Sequence, residues 1–101
     1  MKTGNITIPD DAIRAFCAKH RIAKLSLFGS VLRDDFTPLS DVDVLVEFAP
    51  GKRIGLSGFA EIEIELSDLL GRKVDLSTPS SLSRYFRDEV LREAETLNVA
   101  A

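Results

Sequence analysis

Three aspartates and a Gly-Ser pair are the residues of this chain whose types and spacing suit chemistry. Asp41 and Asp43 stand at i and i+2 around the start of the alternating run Val42-Asp43-Val44-Leu45-Val46-Glu47-Phe48. Residues two apart on a strand point to the same side, so their carboxylates start roughly 6 to 7 Å apart at the backbone and can lean onto one cation. Oxygen donors of this kind suit Mg2+, which takes a few carboxylates and completes its shell with phosphate oxygens and water. Taken alone, an Asp-x-Asp pair at a strand start is usually a solvated edge.

Gly29-Ser30 precedes Asp41 with residues 31–40 between. A glycine lets a ligand come close to the backbone. A serine hydroxyl and the free N–H groups of a helix start can hold phosphate oxygens. The ordinary reading of the pair is a strand-to-helix turn capped by Ser30. Asp75 lies between Val74 and Leu76, so its carboxylate faces away from their side, toward solvent or another acid cluster. Placed beside Asp41 and Asp43, it would complete a trio able to hold two metal ions about 4 Å apart. There it is also placed to take a proton from an attacking hydroxyl.

The elements that must position these residues follow from periodicity. Residues 9–21 are expected as a helix: Pro9 and the two aspartates Asp10 and Asp11 suit its first turn, and Ile13, Phe16, Cys17 and His20 share one face. His20 reads as a helix-end residue. Residues 24–28 are expected as a short strand, Ser30 to about Asp35 as a short helix, and 42–48 as the clearest strand. A loop follows over 49–58, with Pro50, three glycines, Lys52 and Arg53. The two cations are positioned to close over phosphates, although charged loops are most often simply solvated. Residues 59–70 are expected as a helix stopped by Gly71, 73–77 as a strand, and 81–96 as a final helix with Leu82, Tyr85, Phe86, Val90, Ala94 and Leu97 on its apolar side. The expected fold class is α+β: a small mixed sheet of three to four strands with helices mainly on one face.

The chain has 101 residues, and one domain over 1–101 is expected. Apolar residues make up 45% and charged residues 29%, so a packed globular domain is expected rather than a disordered one. The net charge of −3 argues against sequence-independent nucleic-acid binding, which needs a cationic excess. One cysteine, Cys17, makes no internal disulfide, and it reads as a buried helix-face residue. No run of roughly 20 apolar residues is present and the first residues lack a signal-peptide pattern, so a cytoplasmic protein is expected, with no membrane contact. Phe36, Leu39, Ile54 and Leu56 fall in loop-like stretches and are candidates for an interface.

The joint pattern, Leu27-Phe28-Gly29-Ser30-Val31-Leu32-Arg33 followed by Ser40-Asp41-Val42-Asp43-Val44-Leu45-Val46, resembles the Gly-Ser and Asp-x-Asp signature of the DNA polymerase beta nucleotidyltransferase superfamily. The short length, Arg33 and the segment Gly71-Arg72-Lys73-Val74-Asp75-Leu76 narrow the resemblance to the minimal nucleotidyltransferases, which are commonly paired with a HEPN-domain protein. It spans about residues 9–97.

The resemblance implies that Gly29 and Ser30 contact nucleotide phosphates, that Asp41, Asp43 and Asp75 hold Mg2+, as two ions, and that Asp75 acts as base. The family often has Ala-Arg-Gly where this chain has Leu32-Arg33-Asp34: Arg33 is kept, which leaves a role near phosphate or in an ion pair open, and the missing glycine leaves a tight turn there open too. The reaction implied is transfer of a nucleoside monophosphate, AMP from ATP, to a hydroxyl of a HEPN toxin, with this chain as the antitoxin. The alternative is a silent subunit that neutralises or assists its partner by contact alone. Homo- and hetero-oligomers are both open, and transfer to an antibiotic hydroxyl ranks below either reading because such enzymes are longer.

Overall fold

The computed structural model describes residues 2–100; Met1 and Ala101 of the expected 1–101 unit lie outside the described residues. Two short strands come first, β1 (Lys2–Thr3) and β2 (Ile6–Thr7), paired antiparallel. Helix α1 (Asp10–Lys19) follows, with Asp10 and Asp11 in its first turn and Lys19 in its last, both favourable to the helix dipole. Then come β3 (Ile22–Phe28), a 3-10 turn (Gly29–Leu32), β4 (Val42–Phe48), α2 (Leu56–Leu70) and β5 (Val74–Ser77). A second 3-10 turn (Pro79–Ser81), α3 (Arg87–Glu93) and β6 (Glu95–Val99) complete the chain.

The main sheet has the order β5-β4-β3-β6. β3 pairs antiparallel with both β4 and β6, and β4 pairs parallel with β5. It is therefore a four-stranded mixed sheet, as expected. Leu25, Leu27, Val42, Val44, Val46, Val74 and Leu76 share one core with Ile13, Phe16 and Cys17 of α1 and Ile62 and Leu66 of α2. α1 and α2 thus cover the same face, and the alternate residues of β4, including Asp43, project from the other.

β4 has the expected bounds. The helix expected from 59 begins at Leu56, so Leu56 is an 86% exposed helix residue and not a loop residue. Gly71 ends α2 with φ +67°, the left-handed conformation that glycine adopts without strain. The short helix expected from Ser30 to Asp35 is instead the 3-10 turn Gly29–Leu32.

The continuous helix expected over 81–96 does not form. Only Arg87–Glu93 is helical, and Glu95–Val99 is the fourth strand, β6. The supposed apolar side is broken up accordingly: Tyr85 and Phe86 are exposed, while Leu97 packs against the core from β6. A free edge of β3 competed with helix propensity here, and pairing with a buried strand prevailed.

Candidate active site

Each predicted site residue stands at an element boundary near the same end of the sheet. Asp43 and Asp75 are direct partners in the parallel pairing of β4 with β5, and Phe28 is the partner of Asp43 across the β3–β4 pair. The first 3-10 turn therefore begins right beside Asp43. Gly29 has φ +77°, and a Cβ built on it would stand 2.2 Å from Asp43 Oδ2. A side chain at this position would strain the backbone and have to displace that carboxylate. Asp41 lies one residue ahead of β4, exposed, with its Oδ2 3.9 Å from Lys73 Nζ. Such an exposed pair is weak and screened.

Asp43 lies in the field of the other two acids. Burial pushes the Asp43 carboxyl above its ordinary range, and the charges of Asp75 and then Asp41 push it the same way. The Arg33 charge opposes them. Its Nε also stands 3.5 Å from Asp35 Oδ1. The donor set suits a divalent cation, because added positive charge would relieve this mutual repulsion. Among the described residues, no group of three or more His, Cys, Asp or Glu side chains is arranged to hold a metal ion.

A cleft of about 490 Å3 is lined by Gly29, Leu32, Arg33, Glu89, Glu93 and Glu95. Its volume is in the range of small-ligand sites. Arg33 provides its positive side, and α3 and β6 provide the acidic one.

Sequence reasoning overlooked the residues that brace this end of the sheet. Asn5, in the turn between β1 and β2, donates its backbone N–H to Val31 O at 3.0 Å. Its side-chain amide donates to Val31 O and Arg33 O at 2.7 and 2.8 Å. On the outer edge of β5, Val74 N–H donates to Ser67 Oγ at 3.0 Å and Leu76 N–H to Glu63 Oε2 at 2.8 Å. These two residues of α2 satisfy edge amides on either side of Asp75. Nothing in the local sequence marks them, because each contact joins different elements, seven to 28 residues apart in the chain.

Other expectations have plain outcomes. Lys52 and Arg53 form no ion pair with the aspartates among the described residues. His20 finds a partner after all: its Nε2 meets Glu65, which also accepts from Lys19 Nζ at 2.8 Å. The trio joins the end of α1 to α2, away from the aspartates, and is structural. Cys17 is buried, and burial pushes its thiol up to about 11. Leu39 is 94% exposed, whereas Phe36 and Ile54 pack partly against the core. Among the described residues, no helix is long and apolar enough to cross a membrane.

A mixed sheet that sets a Gly-Ser turn against paired aspartates defines the nucleotidyltransferase class of site. Residues 10–97 match the family model described as the nucleotidyltransferase domain, and the chain belongs to that family and is a nucleotidyltransferase. It is 38% identical over 75% of its length to an inferred protein adenylyltransferase of Methanocaldococcus jannaschii, covering 80% of that protein. It is 40% identical to the protein adenylyltransferase MntA of Thermococcus cleftensis, over 71% of each chain. A solved structure assigned as a minimal nucleotidyltransferase superposes with a TM-score of 0.68 at 36% identity, over 84% of this chain and 85% of that one. A toxin–antitoxin structure with AMP-PNP shares the fold, with a TM-score of 0.72 at 20% identity, over 92% and 75%.

Proposed function

We propose that this chain transfers AMP from ATP to a hydroxyl group of a partner protein, a HEPN-domain toxin, and acts as its antitoxin. The observation that carries the reading is the register that sets Asp43 against Asp75, with Gly29 closed against Asp43. The relatives named as protein adenylyltransferases support AMP as the group moved and protein as the acceptor.

Asp41, Asp43 and Asp75 hold Mg2+, as two ions. Bound there, Mg2+ offsets the negative charge of the triphosphate and of the reaction's spreading charge. Gly29 lets the phosphates approach the backbone of the 29–32 turn, and Ser30 offers its hydroxyl and N–H. Arg33 adds positive charge on the cleft side. Asp75, exposed at the sheet edge, takes the proton of the acceptor hydroxyl. The acceptor oxygen bonds to the α-phosphorus in line as the bond from that phosphorus to the β-phosphate oxygen breaks, and pyrophosphate leaves. The protein's task is mainly to hold these groups in position.

The test is the intact mass of the HEPN partner after incubation with this chain, Mg2+ and each nucleoside triphosphate in turn, with Asp43→Asn beside the parent. A gain of one AMP from ATP alone, absent with the variant, is the expected result. An unchanged mass, with parent and variant binding the partner equally, overturns the transfer reading in favour of neutralisation by contact.

A further inference from the structure

We infer that Arg72 is a positioning residue that sets Asp41 against the Asp43–Asp75 pair. This rests on the assignment of Asp41 as a metal ligand made above. Arg72 stands between Gly71, where α2 stops, and β5, which carries Asp75. Its guanidinium reaches across to the loop ahead of β4. Nη2 donates to Thr37 O and to Ser40 O, both at 2.9 Å, and the guanidinium carbon lies 4.6 Å above the Phe36 ring.

The segment it holds is itself a closed turn. Ser40 N–H donates to Thr37 O at 3.0 Å, Thr37 N–H donates to Ser40 Oγ at 3.0 Å, and Leu39 N–H donates to Thr37 Oγ1 at 3.2 Å. Asp41 is the next residue. Immediately after it, Val42 N–H donates to Lys73 O at 2.9 Å. The backbone of Asp41 is thus bracketed by two bonds, one to Arg72 before it and one to Lys73 after it. Both brackets come from the two residues that lead into β5. Asp41 lies outside the β4–β5 ladder, so register alone does not place its carboxylate; the bracket does.

The chemistry of the contact favours arginine. A planar guanidinium donates in its plane to two carbonyls and stacks its face on Phe36 at the same time, whereas an ammonium is a point charge that cannot do both. Among the described residues Arg72 forms no ion pair. Its hydrogen bonds go to backbone, as a brace requires.

The experiment measures binding of Mn2+ alone, without nucleotide, by electron paramagnetic resonance of the free ion. The proteins are the parent, Arg72→Ala, Arg72→Lys, Asp41→Asn and the double variant Arg72→Ala/Asp41→Asn, each with its melting temperature. Supporting residues of metal ligands typically contribute 10–100-fold in affinity, so Arg72→Ala is expected to weaken Mn2+ binding about 10-fold. Arg72→Lys is expected to fall between it and the parent, and carries the comparison if the alanine variant does not fold. In the Asp41→Asn background the same change is expected to add nothing, because Arg72 acts through Asp41. A lowered melting temperature with unchanged Mn2+ affinity of the folded protein overturns the inference, as does an equal loss in both backgrounds. If Asp41→Asn binds Mn2+ as the parent does, the metal assignment has failed, and the role of Arg72 falls with it.

Discussion

At the scale of single residues, the site concentrates like charge where the fold gains nothing from it. Asp43 is partly buried and faces Asp75 across a strand pair, with Asp41 nearby. Like charges directly opposed across a strand pair are destabilising, and cross-strand pairs of other kinds contribute roughly 0.2–1 kcal/mol. Asp43→Asn is therefore expected to melt no lower than the parent in metal-free buffer at pH 7, and up to about 1 kcal/mol more stably. Its transfer rate should fall by about 100-fold or more, the usual effect of removing a charge-stabilising group from a transition state. A melting curve and an adenylylation assay on one preparation check both halves. Gly29→Ala should do the reverse to stability. The left-handed backbone penalty is about 1–2 kcal/mol, and the added methyl must displace Asp43 Oδ2. Loss of both melting temperature and activity is expected, measured against an alanine change at Gly51, where a Cβ would meet nothing within 4 Å and only the backbone penalty applies.

At the scale of elements, the core contact of β6 and the joint between the helices are separate from the chemistry. Leu97 packs from β6 onto the core and is partly buried. Leu97→Ala is expected to lower stability by about 1–2 kcal/mol, below the range for a fully buried leucine, with activity per folded molecule retained. Denaturant unfolding beside a specific-activity measurement separates the two. Helix α1 is tied to α2 through Glu65, whose carboxyl is lowered by hydrogen bonds first from Lys19 and then from His20. A lowered carboxylate stabilises fully above the ordinary glutamate value, near 4.3, and ceases to do so as pH falls through the lowered one. The side chain is 37% exposed, so the contribution is modest and screened by salt. A pH series of melting temperatures should show Glu65→Gln below the parent near neutrality and equal to it in strong acid.

At the scale of the whole molecule, the acidic end of the sheet makes stability depend on ligand. Anything that binds the folded form alone adds RT ln(1 + [L]/Kd), about 2.7 kcal/mol at a hundred times Kd. For a domain of this size that is a rise in melting temperature of roughly 10 °C or more. Mg2+ with a nonhydrolysable ATP analogue is expected to give such a rise for the parent and little for Asp43→Asn. An equal rise in both proteins would mean that the nucleotide is held without the aspartates.

The local signals in this chain were strong where one periodicity was enough. The alternation from Val42 to Phe48 gave β4 its bounds, Gly71 marked the stop of α2, and the spacing of Gly29-Ser30 from Asp41 and Asp43 marked the candidate site. Those features depend on neighbours within a few residues, and a one-dimensional pattern records them. The segment after Pro79 was misread because Tyr85, Phe86, Val90 and Leu97 fall at helical spacing, whereas the open edge of β3 takes Glu95–Val99 as a strand. A vacant edge exists only once β3 and β4 have paired. The same holds for the bracket around Asp41: Arg72 lies 35 residues from Thr37 and 32 from Ser40 along the chain. Residue types and short spacings thus determined which chemistry this protein carries. Only the packing of distant segments decided how its acids are held together, because hydrogen bonds and register between those segments are set by the whole fold.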